Sequence, residues 1–175
     1  MPSFASRLLH AVLAAAVATG LLLLFFWYRG DGQDALSDAT QRLAQGSMDR
    51  LQPYIDDVWG QLLTAGLAAM LAPLGLAIVW LFAVERDPPA GDGMAASKRN
   101  LWIGLLFAVW VAVGAVSWFA LLHNPIAEFM APGLDIKALL VTEAAATIGY
   151  YFATALGVSR SSLVSVPGAS AWRRR

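Results

Sequence analysis

One acidic residue lies alone inside a long apolar run near the end of the chain. Glu143 is the only Asp, Glu, Lys or Arg between Ala138 and Val158. Placing a charge at the centre of a membrane helix costs about 2.5–3.5 kcal/mol by insertion scales, so such residues usually face protein or water. Helical spacing puts Glu143 on one face with three other polar residues, and we call the set the polar stripe: Glu143, Thr147, Tyr150 and Thr154.

Another face of the same segment has a small residue at every fourth position. We call this set the small-residue ladder: Ala145, Gly149, Ala153 and Gly157. Small side chains at this spacing let two membrane helices approach closely. The ladder therefore predicts a helix-packing surface, and the polar stripe is the candidate pore-lining surface beside it.

Two interpretations of these faces are open at this point. In the first, Glu143 is neutral or hydrogen-bonded to a neighbouring helix, and the ladder packs the bundle of one chain. In the second, the ladder drives self-association and the stripe lines a water path. Gln61 and Thr64 are expected to approach Glu143, because all three positions lie near the same membrane surface.

The elements that position these residues are four apolar segments, each long enough to cross about 30 Å of hydrocarbon. They cover residues 8–28, 58–84, 101–122 and 138–158. The chain is 58% hydrophobic and 14% charged, whereas about 25% of the residues in soluble domains are charged. We therefore predict an all-α polytopic membrane protein, whose four-helix transmembrane domain comprises residues 1–160.

The distribution of basic residues predicts the orientation, because Lys and Arg in short loops stay in the cytoplasm. They occur before the first span, between the second and third spans, and after the fourth: Arg7, Arg86, Lys98, Arg99, Arg160 and Arg173, Arg174, Arg175. Residues 30–57, between the first two spans, are rich in Asp. Both termini are therefore predicted to be cytoplasmic. The protein itself is predicted to lie in the cell membrane, specifically a bacterial inner membrane.

Three further expectations concern regions around the spans. Apolar residues at helical spacing within residues 30–57 predict an external amphipathic segment that Pro53 should break or end, with a solvated connector as the alternative. Residues 161–175 are predicted to be a disordered basic tail. Aromatic rings favour membrane interfaces, so interfacial positions are expected for tryptophans near span ends, namely Trp27, Trp59, Trp102 and Trp118, whereas mid-span Trp110 is expected to pack.

The sequence offers little that indicates catalysis. It has no cysteine, and it lacks the nucleotide-binding, hydrolase and zinc-protease motifs. His10 and His123 stand at opposite ends of their predicted spans, so they could not bind one haem together. No cofactor and no metal site are predicted, and nucleic acid is excluded as a partner because no basic face could neutralise phosphates.

The run from Ile148 to Arg160 reads Ile-Gly-Tyr-Tyr-Phe-Ala-Thr-Ala-Leu-Gly-Val-Ser-Arg. It resembles the last membrane segment of phage holins and holin-like proteins, which often end in a Gly-Tyr-Tyr-Phe-Gly-Ser-Ser type helix followed by a basic tail. This chain departs from that pattern at Ala153 and Ala155. The resemblance implies a small membrane protein that forms a pore.

The leading prediction is a non-enzymatic membrane protein that self-associates through its last helix, as a holin-like or other small pore. The alternative is an accessory or assembly subunit of a larger membrane complex, in which Glu143 and the ladder contact a partner. The predicted partners are the lipid bilayer and either further copies of the chain or other membrane subunits.

Overall fold

The structure, a computed structural model, describes residues 4–29, 48–122, 134–169 and 171. Four long helices account for most of them: α1 (Phe4–Arg29), α2 (Met48–Arg86), α3 (Asp92–Ser117) and α4 (Leu134–Gly157). A π-helical turn, Trp118–Leu122, extends α3, and a short 3-10 helix, Leu163–Ser165, follows α4. No strand occurs in these ranges, so the predicted all-α fold is confirmed.

All four helices contain a segment that is long and apolar enough to cross a membrane. By length and composition, the four helices are consistent with the predicted multi-pass membrane protein. A short charged connection joins α2 to α3. Pro88 and Pro89 lie in it, and they lack the amide hydrogen that would continue α2. Asp92 then opens α3, where an acidic side chain complements the helix dipole.

The second helix is longer than the predicted span of residues 58–84, because it already begins at Met48. Pro53 lies inside this helix, so the expectation that it breaks or ends the preceding helical segment is wrong. Its ring removes the backbone hydrogen bond that position 53 would donate to the carbonyl of Asp49, so α2 continues through Pro53 with one bond missing. Residues 30–47 and the side chains of Trp27 and Trp59 lie outside the described part of the structure.

The packing of α1 and α2 places small residues inside and large apolar residues outside. In α1, Ala11, Ala15 and Thr19 are buried, whereas Leu13 is 55% exposed. In α2, the buried residues recur at every fourth position as Ala65, Ala69, Pro73 and Ala77, whereas exposed positions include Leu63, Leu67 and Leu71. This arrangement suits a bilayer, because acyl chains solvate leucine and close helix contacts need small residues.

The last helix is the centre of the bundle, since α4 packs against each of the other three helices and most extensively against α1. Its partners on the other sides are α2 and α3. The hydrophobic core consequently follows α4, and includes Trp80, Leu81 and Val109 from α2 and α3 with Tyr150 and Val158 from α4 and its end. Both faces noted in the sequence are therefore interior contacts of this helix.

The chain beyond α4 folds back on the bundle, and we call residues 159–169 the strap. Leu163, Val166 and Ala169 are buried and belong to the hydrophobic core. The predicted disordered tail is therefore wrong for residues 161–169, which are ordered by apolar burial. The strap has four serines among its eleven residues, and this polar composition gave no sign of the three core residues at spacings of three.

Candidate functional site

The candidate site lies where α3 and α4 meet, around the carboxyl group of Glu143. One carboxyl oxygen, Oε2, is buried and has no hydrogen-bond partner among the described residues. The other, Oε1, lies over Gly114 of α3, where an added Cβ would be 2.9 Å away. Gly114 therefore makes room for the carboxyl group without offering it a donor.

The other three residues of the polar stripe are hydrogen-bonded within the bundle. The indole Nε1 of Trp110 donates to Thr147 Oγ1 at 2.8 Å, and that hydroxyl donates to the backbone oxygen of Glu143 at 2.8 Å. Tyr150 donates to the backbone oxygen of Trp102 at 3.2 Å. The stripe thus faces α3 of the same chain, and Glu143 is its one member with a buried oxygen left unpaired.

Trp102 makes the most enclosed of these contacts, at Thr154. Its Nε1 donates to Thr154 Oγ1 at 2.9 Å, and its ring lies 5.1 Å from that of Tyr150. Trp102 is 5% exposed, so its ring packs within the bundle, and its expected position at the depth of the membrane interface stays a prediction. A buried indole needs a hydrogen-bond acceptor, and the threonines of α4 supply it. These two bonds could have been found from the sequence, because Thr147 and Thr154 are seven residues apart and Trp102 and Trp110 are eight residues apart, which lets the two pairs face each other across adjacent helices.

Trp110 was expected to pack, but 45% of its surface is exposed at mid-helix. Phe107, one turn away on the same face of α3, is 63% exposed. On α4, Leu140 is 64% exposed and lies one turn from Glu143. Trp110 contacts α4 at Thr147, one turn from Glu143, and Phe107 lies one turn further along α3. We call the surface of these residues the Glu143 groove: Phe107, Trp110, Gly114, Leu140, Glu143 and Thr147.

The small-residue ladder faces α1 and α2 of the same chain. A Cβ on Gly149 would lie 2.5 Å from Thr19 Oγ1, and one on Gly157 would lie 2.7 Å from Leu81 Cδ1. Thr19 Oγ1 also donates to the backbone oxygen of Ala145 at 3.4 Å. All four ladder residues, Ala145, Gly149, Ala153 and Gly157, are buried, so the ladder is covered within one chain.

Gln61 and Thr64 lie at an open surface of the bundle. They line an open groove of about 690 Å³ between α2 and the end of α3, together with Ala115, Val116, Phe119 and Ala120. The Thr64 hydroxyl donates to the backbone oxygen of Gly60 at 2.8 Å. Glu143 is not part of this lining, and the expected approach of Gln61 and Thr64 to its carboxyl group stays a prediction.

Within the ranges that the structure describes, no three His, Asp or Glu side chains converge as a metal site requires. The chemistry available at the Glu143 groove is therefore that of one carboxyl group, able to accept hydrogen bonds or pair with a cation. Comparison of the chain with known protein families, with curated proteins and with solved structures gives no match.

Proposed function

We propose that this chain is a non-enzymatic accessory subunit of a membrane complex, and that it binds its partner at the Glu143 groove. The observation that carries the proposal is the buried Oε2 of Glu143, which has no hydrogen-bond partner in the described residues. An unsatisfied buried polar atom costs free energy, and a partner that supplies a donor recovers it. As a whole residue Glu143 is only partly buried, and a partner would reach its carboxyl group from this surface.

The packing of α4 favours this function over a pore lined by the polar stripe. Thr147, Tyr150 and Thr154 are hydrogen-bonded to groups of the same chain. A pore would need these hydroxyls to face water, and they would first have to exchange those bonds. The ladder likewise contacts Thr19 and Leu81, so self-association through it would require α1 to leave. Self-association stays a prediction, but these two surfaces do not support it.

The occupant that fits the groove is a transmembrane helix of another protein with a basic side chain at the depth of Glu143. Ionisable residues in membranes usually pair with one another, and the flanking Phe107, Trp110 and Leu140 offer an apolar surface for the rest of such a helix. A second copy of this chain fits poorly. Its basic residues within the four helices stand near helix ends, as Arg7, Arg29, Arg50, Arg86, Lys98, Arg99 and Lys137.

Site-specific photocrosslinking in native membranes tests the proposal. A photoreactive amino acid at Leu140 should give one discrete adduct with a membrane protein that has a Lys or Arg inside a span. The same probe at Leu13, which is 55% exposed on the far helix α1, is the matched control and should label lipid. The Leu140 adduct should disappear in a Glu143→Leu background.

Three outcomes would overturn the proposal. An adduct that contains only a second copy of the chain would favour self-association, and ion flux through liposomes that hold the purified chain would then test the pore. Labelling of lipid alone at Leu140 would remove the interface. Persistence of the adduct in Glu143→Leu would show that the carboxyl group plays no part in binding.

The orientation is a second part of this proposal. The basic residues Arg7, Arg86, Lys98, Arg99 and Arg160 support a cytoplasmic location for the end of the bundle at which α2 ends, and hence for both termini in a bacterial inner membrane. The absence of cysteine allows a clean test with single substitutions. Gly93→Cys and Ser161→Cys should resist a membrane-impermeant maleimide in intact cells, and Gln45→Cys should react. The reverse labelling pattern would place both termini outside the cytoplasm and contradict the proposed orientation.

A further inference from the structure

A different carboxylate joins three parts of the chain at the end of the bundle where α2 ends. Glu85, in the last turn of α2, accepts a hydrogen bond from Arg7 Nη2 to Oε2 at 2.8 Å. Its other oxygen, Oε1, accepts the backbone N–H of Ser159 at 2.7 Å. One side chain therefore contacts α1 and the first residue of the strap at the same time.

The strap rests on the bundle through its own apolar residues. Leu163, Val166 and Ala169 are buried, and Gly168 adopts a φ of +74°, which a side chain would strain. Short local bonds join Ser159 to Ser161 and Ser162 at 3.0 and 3.2 Å. These contacts order the strap, whereas the bond to Glu85 fixes where it leaves α4.

The neighbouring contacts at this end of the bundle hold other elements. Lys98 Nζ donates to the backbone oxygen of Ala83 at 2.9 Å and lies 3.5 Å from Asp87 Oδ2. Trp80 Nε1 donates to the backbone oxygen of Lys98 at 3.3 Å. These contacts join α2 to α3, and they provide a reference that does not involve the strap.

We propose that Glu85 is a latch which couples the position of α1 to the docking of the strap. The bond from Ser159 needs the carboxylate where Arg7 holds it, because the guanidinium fixes the orientation of the shared group. Movement of α1 would release the carboxylate and thereby loosen the strap. The latch is independent of the Glu143 groove, which lies on another part of α4.

Tryptic cleavage after Arg160 in the intact, detergent-solubilised chain measures the open state of the strap. Arg160 is exposed and lies inside the strap, and cleavage of a transiently opened segment follows the open population when reclosing is fast. Glu85→Ala should raise the cleavage rate by about tenfold, since it removes two charge-assisted bonds. Arg7→Gln should raise it by about threefold, although the substituted residue lies on α1.

Three comparisons separate the latch from general loosening. Asp87→Asn alters a charge at the same end, on the 64% exposed partner of Lys98, and should leave cleavage after Arg160 unchanged. Ser159→Pro removes the donated N–H and should match Glu85→Ala. Ser159→Ala keeps the N–H and removes the hydroxyl bonds to Ser161 and Ser162, so it should raise cleavage less than the proline variant. Cleavage after Arg99, in α3, reports unfolding of the bundle and should stay at the wild-type rate in every variant.

The proposal fails if Arg7→Gln leaves cleavage after Arg160 at the wild-type rate while Glu85→Ala raises it, because α1 and the strap would then be uncoupled. It also fails if Glu85→Ala or Ser159→Pro has no effect. A parallel rise after Arg99 would attribute the result to loss of the fold, and would equally overturn the latch.

Discussion

The two faces of α4 meet their neighbours in different ways. Towards α1, the contact is made by small residues so close that Gly149 has no space for even a methyl group beside Thr19. Towards α3, the contact is made by hydroxyl and indole groups, with Trp102 bonded to Thr154 and Trp110 to Thr147. The first face is held by close packing of small side chains. The second is held by hydrogen bonds, and one acceptor on it, the Oε2 of Glu143, has no partner among the described residues.

This difference shows that small residues and polar residues stabilise helix contacts in different ways on the same helix. A close-packed face is specified by volume, so any larger side chain is felt at once. A hydrogen-bonded face tolerates one unpaired group, because each hydrogen bond in a membrane contributes only modestly to stability. Glu143 carries such a group, which makes the α3 side of α4 the side that a partner can use.

The largest effect is expected from Gly149→Leu on the close-packed face. The new side chain would overlap Thr19, and overpacking of this kind costs about 1–3 kcal/mol or more. Thermal unfolding in detergent should show a clear fall in the midpoint. Gly104→Leu is the matched control, because a Cβ at Gly104 meets nothing within 4 Å. Equal midpoints for the two variants would contradict the close packing of α1 on α4.

An intermediate effect is expected from the tryptophans of the hydrogen-bonded face. Trp102→Phe keeps an aromatic ring and removes the bond to Thr154, which should cost about 0.6–1.7 kcal/mol. Trp110→Phe removes the bond to Thr147 at a more exposed position and should cost less. Thermal midpoints of both variants, measured beside Thr154→Val, give the order. A larger loss for Trp110→Phe would reverse our assignment of the buried contact.

The smallest effect on the isolated chain is expected at Glu143. Replacement of an unpaired buried polar group by an apolar one is close to neutral or stabilising. Glu143→Leu should therefore leave the thermal midpoint of the purified chain unchanged or slightly raised, and Glu143→Gln should be nearly silent. A marked fall for Glu143→Leu would mean that the bundle itself satisfies the carboxyl group, and the partner proposal would lose its basis.

Much of the fold could be predicted from the sequence, because long apolar runs have few alternatives in a membrane protein. The four helices follow from hydropathy and length. The spacing that defines the stripe and the ladder also places Thr147, Tyr150 and Thr154 on one side and Gly149 on another. Both sets do lie on separate faces of α4, with α3 against one and α1 against the other.

What could not be predicted was which neighbour covers each face. Helical spacing says nothing about whether the ladder meets α1 or a second copy, since both contacts would use the same small residues. The burial of Trp102 could not be predicted, because interface preference is an average over proteins and does not reveal that its indole has a specific acceptor in Thr154. The strap was misjudged because its core residues, among them Leu163 and Val166, lie in a short segment that also contains several serines, a proline and a glycine.

The placement of leucine on the outside and alanine on the inside of α1 and α2 has a thermodynamic consequence. Separation of these helices within a bilayer would expose their buried methyl groups to acyl chains and not to water. The heat capacity change of unfolding arises from hydration of apolar surface, so it should be small for helix separation in this protein. Its stability should then fall almost linearly with temperature, without the low-temperature decline that water-soluble domains show.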